Sequence, residues 1–93
     1  MSENGIIGRI LQQVRTIAAT ATAIPATALV GRTTIVMKNT GSATIYVGSS
    51  TVTTANGYPL AAGAELALDL NENVVIYGIV ATSTETLAII EGI

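Results

Sequence analysis

The sequence contains no cysteine and no histidine, and both absences restrict its chemistry. Without cysteine the chain has no disulfide, no thiol nucleophile and no thiolate metal ligand. Without histidine it lacks the side chain that most readily exchanges a proton near neutral pH, so its serine and threonine hydroxyls have no imidazole to activate them. We therefore expect the protein not to be an enzyme, and we expect no cofactor and no bound metal ion.

Charge is also scarce. Charged residues make up 11% of the chain and apolar residues 49%, whereas about 25% charged residues is usual for soluble domains. The cations lie in the N-terminal part and most acids after residue 64, which is either chance or a basic segment that meets an acidic surface on a partner or another copy. The cations are Arg9, Arg15, Arg32 and Lys38. Four scattered cations are too few for a nucleic-acid interface, so we expect no nucleic-acid partner.

The chain has 93 residues, which is enough for one small domain with a modest core. Oligomerisation would be a natural source of extra stability for a domain of this size. The least charged early run, 16–31, is interrupted by Pro25 and is shorter than the roughly 20 residues that a membrane-spanning helix needs. Glu3 and Asn4 do not fit a signal peptide. We expect synthesis in the cytoplasm and no membrane partner.

The first 18 residues show apolar side chains at spacings of three and four, which predict an amphipathic helix of about three turns. The apolar positions are Ile6, Ile7, Ile10, Leu11, Val14 and Ile17. Ser2 or Asn4 would cap this helix, and Gly5 and Gly8 would weaken it. We interpret 1–18 as an N-terminal segment that packs on its own domain, anchors the protein to another chain or extends as an arm.

The remaining residues, 19–93, follow strand patterns. Thr33–Lys38 and Ala43–Val47 flank the turn-forming run Asn39–Ser42 and predict a β-hairpin. Glu65–Leu70 alternates leucines with polar or small residues, as a half-buried strand does. Val74–Val80 is continuously apolar, which favours a central strand covered on both faces.

Further strand signals complete the pattern. Pro25 suits an edge strand or a bend in the run 19–30, and Thr86–Ile90 predicts a final strand. No crossover helices separate the strands, so their pairing should be antiparallel. The fold class that we predict is mainly β: a small antiparallel β-sandwich or jelly-roll-like barrel in 19–93, preceded by a short N-terminal amphipathic helix or arm.

A loop between two strands carries the least ordinary residues, in the run TVTTANGYPL at 51–60. Asn56 and Gly57 fit a tight turn, and Pro59 redirects the chain. Tyr58 either packs locally or contacts a partner. Asn71, Glu72 and Asn73 lack the spacing of a calcium loop, and we interpret them as a turn.

The order of motifs from Pro25 to Glu91 resembles a small β-sandwich module of tailed-bacteriophage virion proteins. The residues that carry the resemblance are IPATALVGRTTIVMKNTGSATIYVGSSTVTTANGYPLAAGAELALDL followed by NVVIYGIVA. Such modules occur in head-decoration, head-fibre and tail-associated proteins. The resemblance implies a structural virion protein, in the first place a capsid decoration (cement) protein on the outer surface of a bacteriophage head. Its partner would be the major capsid protein or another virion protein, and it would form a homo-oligomer, with a trimer among the options.

The N-terminal segment and the loop tyrosine are the candidate interface residues. They are Ile6, Ile7, Arg9, Ile10, Val14, Arg15, Ile17 and Tyr58. Two other functions stay open: a tail or head-to-tail joining component, and a module that binds carbohydrate or a host surface through Tyr58 and the loop 48–57.

Overall fold

The computed structural model of the protein describes residues 8–93, which form eight β-strands in two antiparallel sheets. The strands are β1 (Ile10–Ala18), β2 (Thr22–Ile24), β3 (Thr34–Asn39), β4 (Ile45–Gly48), β5 (Tyr58–Leu60), β6 (Glu65–Leu68), β7 (Ile76–Ile79) and β8 (Thr84–Gly92). The described residues include no helix that could cross a membrane. The predicted mainly-β class and the antiparallel pairing are confirmed.

Each sheet has four strands. The first sheet has the order β1-β8-β3-β6, and the second has the order β2-β7-β4-β5. The C-terminal strand β8 is thus an interior strand of the first sheet, between β1 and β3, and the first sheet cannot form without it.

The predicted N-terminal helix is wrong for the part of it that the structure describes, because residues 10–18 form strand β1. This strand pairs with β8 along its whole length, from Ile10 opposite Gly92 to Ala18 opposite Thr84. Ile17 is fully buried, whereas Ile10 and Val14 are 71% and 70% exposed, so the supposed helical stripe lies on two opposite faces of a strand. An isolated helix of this length is marginal in water, and pairing with β8 outweighs its local preference. Ile6 and Ile7 lie outside the described residues.

The predicted hairpin is also wrong in its pairing, although both of its strands exist. β3 belongs to the first sheet and β4 to the second, so the link between them crosses the sandwich. Asn39 explains the crossing, because its fully buried side chain points inward. Its Nδ2 donates to the carbonyls of Ala43 at 2.8 Å and Leu60 at 2.9 Å, and its Oδ1 accepts from the Gly41 amide at 2.9 Å.

The predictions for the next two strands, β6 and β7, are confirmed to different extents. β6 shows the predicted alternation, with Glu65 exposed and Leu66 half-buried. β7 is an interior strand, as predicted, but only one of its faces is buried: Ile76 and Gly78 are buried, whereas Tyr77 and Ile79 on the opposite face are half-buried. An antiparallel sheet with one face toward solvent accounts for this difference.

The core lies between the two sheets and receives side chains from seven strands and from Val80. Its buried members are Ile17, Ile24, Ile35, Met37, Ile45, Val47, Leu60, Ile76, Val80, Leu87 and Ile89. Burial of one such side chain stabilises the fold by about 1.5–3 kcal/mol. Because β1 contributes Ile17 and β8 contributes Leu87 and Ile89, the first and last strands both hold the core together.

The turn predicted at Asn56 and Gly57 is present, and it precedes the edge strand β5. The Gly57 amide donates to the Thr53 carbonyl at 2.9 Å, and Asn56 Oδ1 accepts from the Thr53 amide at 2.7 Å. Gly57 is required for space rather than for a left-handed backbone, since a Cβ there would lie 2.6 Å from the Tyr46 Cβ. Positive φ occurs instead at Gly63 (80°), shortly after β5, and elsewhere at Gly31 and Ser83.

Candidate interaction surfaces

The most polar part of the interior is an ion pair at one end of the sandwich. Arg32 and Glu91 are 2% and 1% exposed, and Arg32 Nη1 lies 2.8 Å from Glu91 Oε2. The guanidinium also donates to three carbonyls, at Leu70 (3.1 Å), Asn71 (2.9 Å) and Val74 (2.7 Å). Arg32 therefore joins the segment between β6 and β7 to strand β8.

Glu91 is equally well bonded. Its Oε1 accepts from Gln13 Nε2 at 3.2 Å, and its Oε2 accepts from the Leu29 amide at 3.2 Å in addition to Arg32. A buried charge is tolerated only when it is paired and hydrogen-bonded, and this pair meets both conditions. Arg32 and Glu91 are thus engaged in holding the fold, and they are not placed to act on a ligand.

The other acidic side chains with resolved contacts also fasten loops. Glu85 accepts from the amides of Ser42 at 3.1 Å and Ala43 at 3.0 Å, and Glu72 accepts from the Gly31 amide at 2.9 Å. The Asn73 amide donates to Asn71 Oδ1 at 2.7 Å, as in the predicted turn. Across residues 8–93 no three potential metal-binding side chains cluster.

The solvent side of the first sheet, here called the outer face, carries exposed apolar side chains. Strand register places its side chains in rows across the four strands: Gln12, Ile90, Val36 and Ala67 in one row, and Val14, Ala88, Lys38 and Glu65 in the next. Ile10 and Val14 are more than two thirds exposed, and Ile90 is 44% exposed. Contiguous exposed apolar patches on a soluble domain often mark the sites where it contacts another molecule.

Charge on the outer face is confined to one side. Lys38 and Glu65 lie opposite each other on β3 and β6, and the β1 side of the rows carries none. A shallow depression of about 190 Å³ is lined by both of these residues together with Ala88 and Ile90. The outer face thus combines an apolar centre with a polar margin.

The chain matches no protein-family model and gives no significant match to a curated protein.

A second apolar surface lies where the two sheets meet at β5 and β6. This cleft of about 340 Å³ is lined by Val47, Gly48, Tyr58, Leu66, Leu68 and Ile76. Tyr58 is 62% exposed at its mouth. Half-buried leucines and an accessible tyrosine give the cleft an apolar wall and one hydroxyl.

The structure separates the predicted interface residues from one another. Ile10 and Val14 share the outer face, but Ile17 is in the core. The two arginines bond to their own chain, Arg9 Nη2 to the Val30 carbonyl at 2.8 Å and Arg15 Nε to the Ala23 carbonyl at 2.9 Å. Tyr58 lies at the cleft, in the other sheet.

Sequence reasoning missed two residues at the centre of the outer face, Val36 and Ile90. A signal for one of them was present. Ile89 and Ile90 are adjacent in a strand, and adjacent side chains point to opposite faces, so one of the two had to face solvent or a partner.

Proposed function

We propose that the protein is a structural virion protein that decorates the outer surface of a bacteriophage head. The observation that carries the proposal is the apolar outer face, whose centre at Ile90 and Val36 is uncharged. The segment from Pro25 to Glu91 resembles β-sandwich modules of virion proteins, and this resemblance supports the same assignment. The partner in this proposal is the major capsid protein, and the site of action is the assembled particle.

The outer face suits attachment to a large, preformed surface. Burial of apolar area is non-directional and adds up over many contacts, so a small domain gains stability by docking. Lys38 and Glu65 at its margin would orient the domain more than strengthen its binding. Attachment through this face should consequently depend only weakly on salt.

The test is co-sedimentation of the full chain with heads assembled from the major capsid protein of the same genome. Ile90→Lys places a charge at the centre of the outer face, where the side chain is already 44% exposed. We expect binding at least about tenfold weaker, because a Lys ammonium resists desolvation. Ala55→Lys adds the same charge to an exposed loop of the second sheet and should leave binding unchanged.

Two results would count against the proposal. Wild-type protein that fails to bind heads would exclude decoration. Equal binding by a folded Ile90→Lys variant would exclude the outer face as the attachment surface. The number of copies per virion separates decoration, with hundreds of copies, from a tail or joining component with about six or twelve set by axial symmetry.

The exposed tyrosine favours one other function, recognition of carbohydrate or a host surface. Tyr58 offers an aromatic ring and a hydroxyl beside the apolar cleft, a combination common at binding sites. A glycan array with wild type and Tyr58→Ala tests it. A signal lost in the variant would support recognition, and the lack of a signal from either protein would argue against it.

A further inference from the structure

Strand β1 has a free edge, and its hydrogen bonds show which residues face it. In an antiparallel ladder, alternate residues direct both backbone polar groups to the same neighbour. The Ile93 amide donates to the Arg9 carbonyl at 3.1 Å, so the odd-numbered residues of β1 face β8. Ala18 agrees with this parity, because its amide donates to Thr22 Oγ1 and its carbonyl accepts from the Val80 amide, both away from β8.

The remaining even-numbered residues of β1 therefore present a donor and an acceptor each to the free edge. They are Ile10, Gln12, Val14 and Thr16. Within residues 8–93, β8 is the only strand that pairs with β1. Unpaired edge groups of this kind are a template for another extended strand.

We propose that two copies of the chain associate by antiparallel pairing of β1 with β1, about a two-fold axis at Gln13. The two four-stranded first sheets then become one continuous sheet. This inference concerns pairing between copies in solution, and it does not depend on attachment to a phage head.

A second copy of β1 satisfies the whole edge, because a two-fold axis at residue 13 sets each free position opposite another free position. With Gln13 opposite itself, Ile10 lies opposite Thr16 and Gln12 opposite Val14. Every free donor and acceptor then finds a partner from the same set.

The two neighbouring registers would pair β1 with its copy less favourably. Shifting the axis to Gln12 places Arg15 opposite Arg9, and like charges directly opposite are destabilising. Shifting it to Val14 places Ile10 opposite Ala18, whose amide and carbonyl are already bonded. In the proposed register Arg15 lies opposite Leu11, and no like charges face each other.

The other edges differ from β1 in ways that discourage pairing. β2 and β5 have three residues each, and β5 contains Pro59. β6 has four residues and begins with Glu65. Proteins protect edges with short strands, proline and charge. β1 has nine residues, an uninterrupted register and no proline, so among the edge strands of residues 8–93 it alone is long and open.

Pairing also covers apolar surface. Val14 and Ile10, which are 70% and 71% exposed in one copy, gain Gln12 and Thr16 of the second copy as neighbours on the same face. The outer faces of the two copies then join into one surface twice as wide. The edge and the exposed side chains thus favour the same association.

The absence of cysteine from the chain allows a direct test of the register. Gln13→Cys places the thiols of the two copies opposite each other, at a Cα separation of about 4.5 Å, which a disulfide can span. Thr16→Cys is the matched control, since its two copies would lie about 20 Å apart along the strands. We expect a cross-linked dimer from Gln13→Cys in a glutathione redox buffer and none from Thr16→Cys.

A charge exchange between copies gives a second readout at exposed positions. In Gln12→Lys/Val14→Lys, lysines oppose lysines across the axis, and we expect the dimer dissociation constant measured by sedimentation to rise about tenfold. Mixing this variant with Gln12→Glu/Val14→Glu should restore the dimer. Monomeric wild type at about 100 µM, a concentration that captures weak dimers, would overturn the proposal. Equal cross-linking of both cysteine variants, or no restoration on mixing, would also overturn it.

Discussion

Replacement of Arg32 by methionine tests the buried ion pair most directly. Methionine keeps much of the side-chain volume but removes all four hydrogen bonds of the guanidinium, to Glu91, Leu70, Asn71 and Val74. Glu91 would then remain 1% exposed with only the Gln13 amide group and the Leu29 backbone amide as donors.

The expected loss follows from this uncompensated charge. Removing one partner of a buried ion pair costs about 3–5 kcal/mol. A domain of 93 residues has a free energy of unfolding of about 5–14 kcal/mol, so the loss is roughly a fifth of that or more. At about 4–8 °C per kcal/mol, the melting temperature should fall by about 12–40 °C.

Urea unfolding followed by circular dichroism measures the change. The double variant Arg32→Met/Glu91→Leu should lose less than the sum of the two single variants, because the isolated charge is gone. Lys38→Met removes an exposed cation and should change stability by no more than about 0.5 kcal/mol. A loss below about 1 kcal/mol in Arg32→Met would refute the view that this pair is desolvated and essential to the end of the sandwich.

Three further predictions concern the close packing at Gly57, the buried amide of Asn39 and strand β1. Gly57→Ala should lower the free energy of unfolding by about 1–3 kcal/mol, because the new Cβ would lie 2.6 Å from that of Tyr46; unchanged urea unfolding would contradict the close packing. Asn39→Asp is nearly isosteric but loses both donors to carbonyls, and we expect a loss of about 2–4 kcal/mol in the same assay; a stable variant would show that these bonds are dispensable. A chain of 8–93 should unfold cooperatively on heating, whereas 19–93 should not, because it lacks β1 and the buried Ile17; cooperative unfolding of 19–93 would refute a structural role for β1.

Most strands could be predicted from local patterns: alternation for β6, a continuous apolar run for β7, and a turn-forming run between β3 and β4. The identity of β1 could not, because Ile10, Val14 and Ile17 fit a helical stripe and a strand with two used faces equally well. The deciding contact is with β8, and Gln13 and Glu91 are 78 residues apart in the chain. Local patterns contain no information about a partner that distant.

Pairing and surfaces were harder to predict than strands. The residues around Asn39 have the composition of a hairpin turn, but its inward side chain sends the next strand to the other sheet. The outer face was missed because alternation identifies two faces of a strand without showing which one the second sheet covers. The sequence could not show whether Tyr58 is exposed, since local packing and partner contact both fit a loop tyrosine.

The position of β8 between β1 and β3 also sets the order in which the protein can mature. During synthesis the strands of the second sheet are all available before residue 84 emerges, but β1 and β3 have no shared neighbour until then. Such distant pairing is slow compared with local helix formation. Only a chain made through β8 can display the outer face, so incomplete translation products would lack this surface altogether.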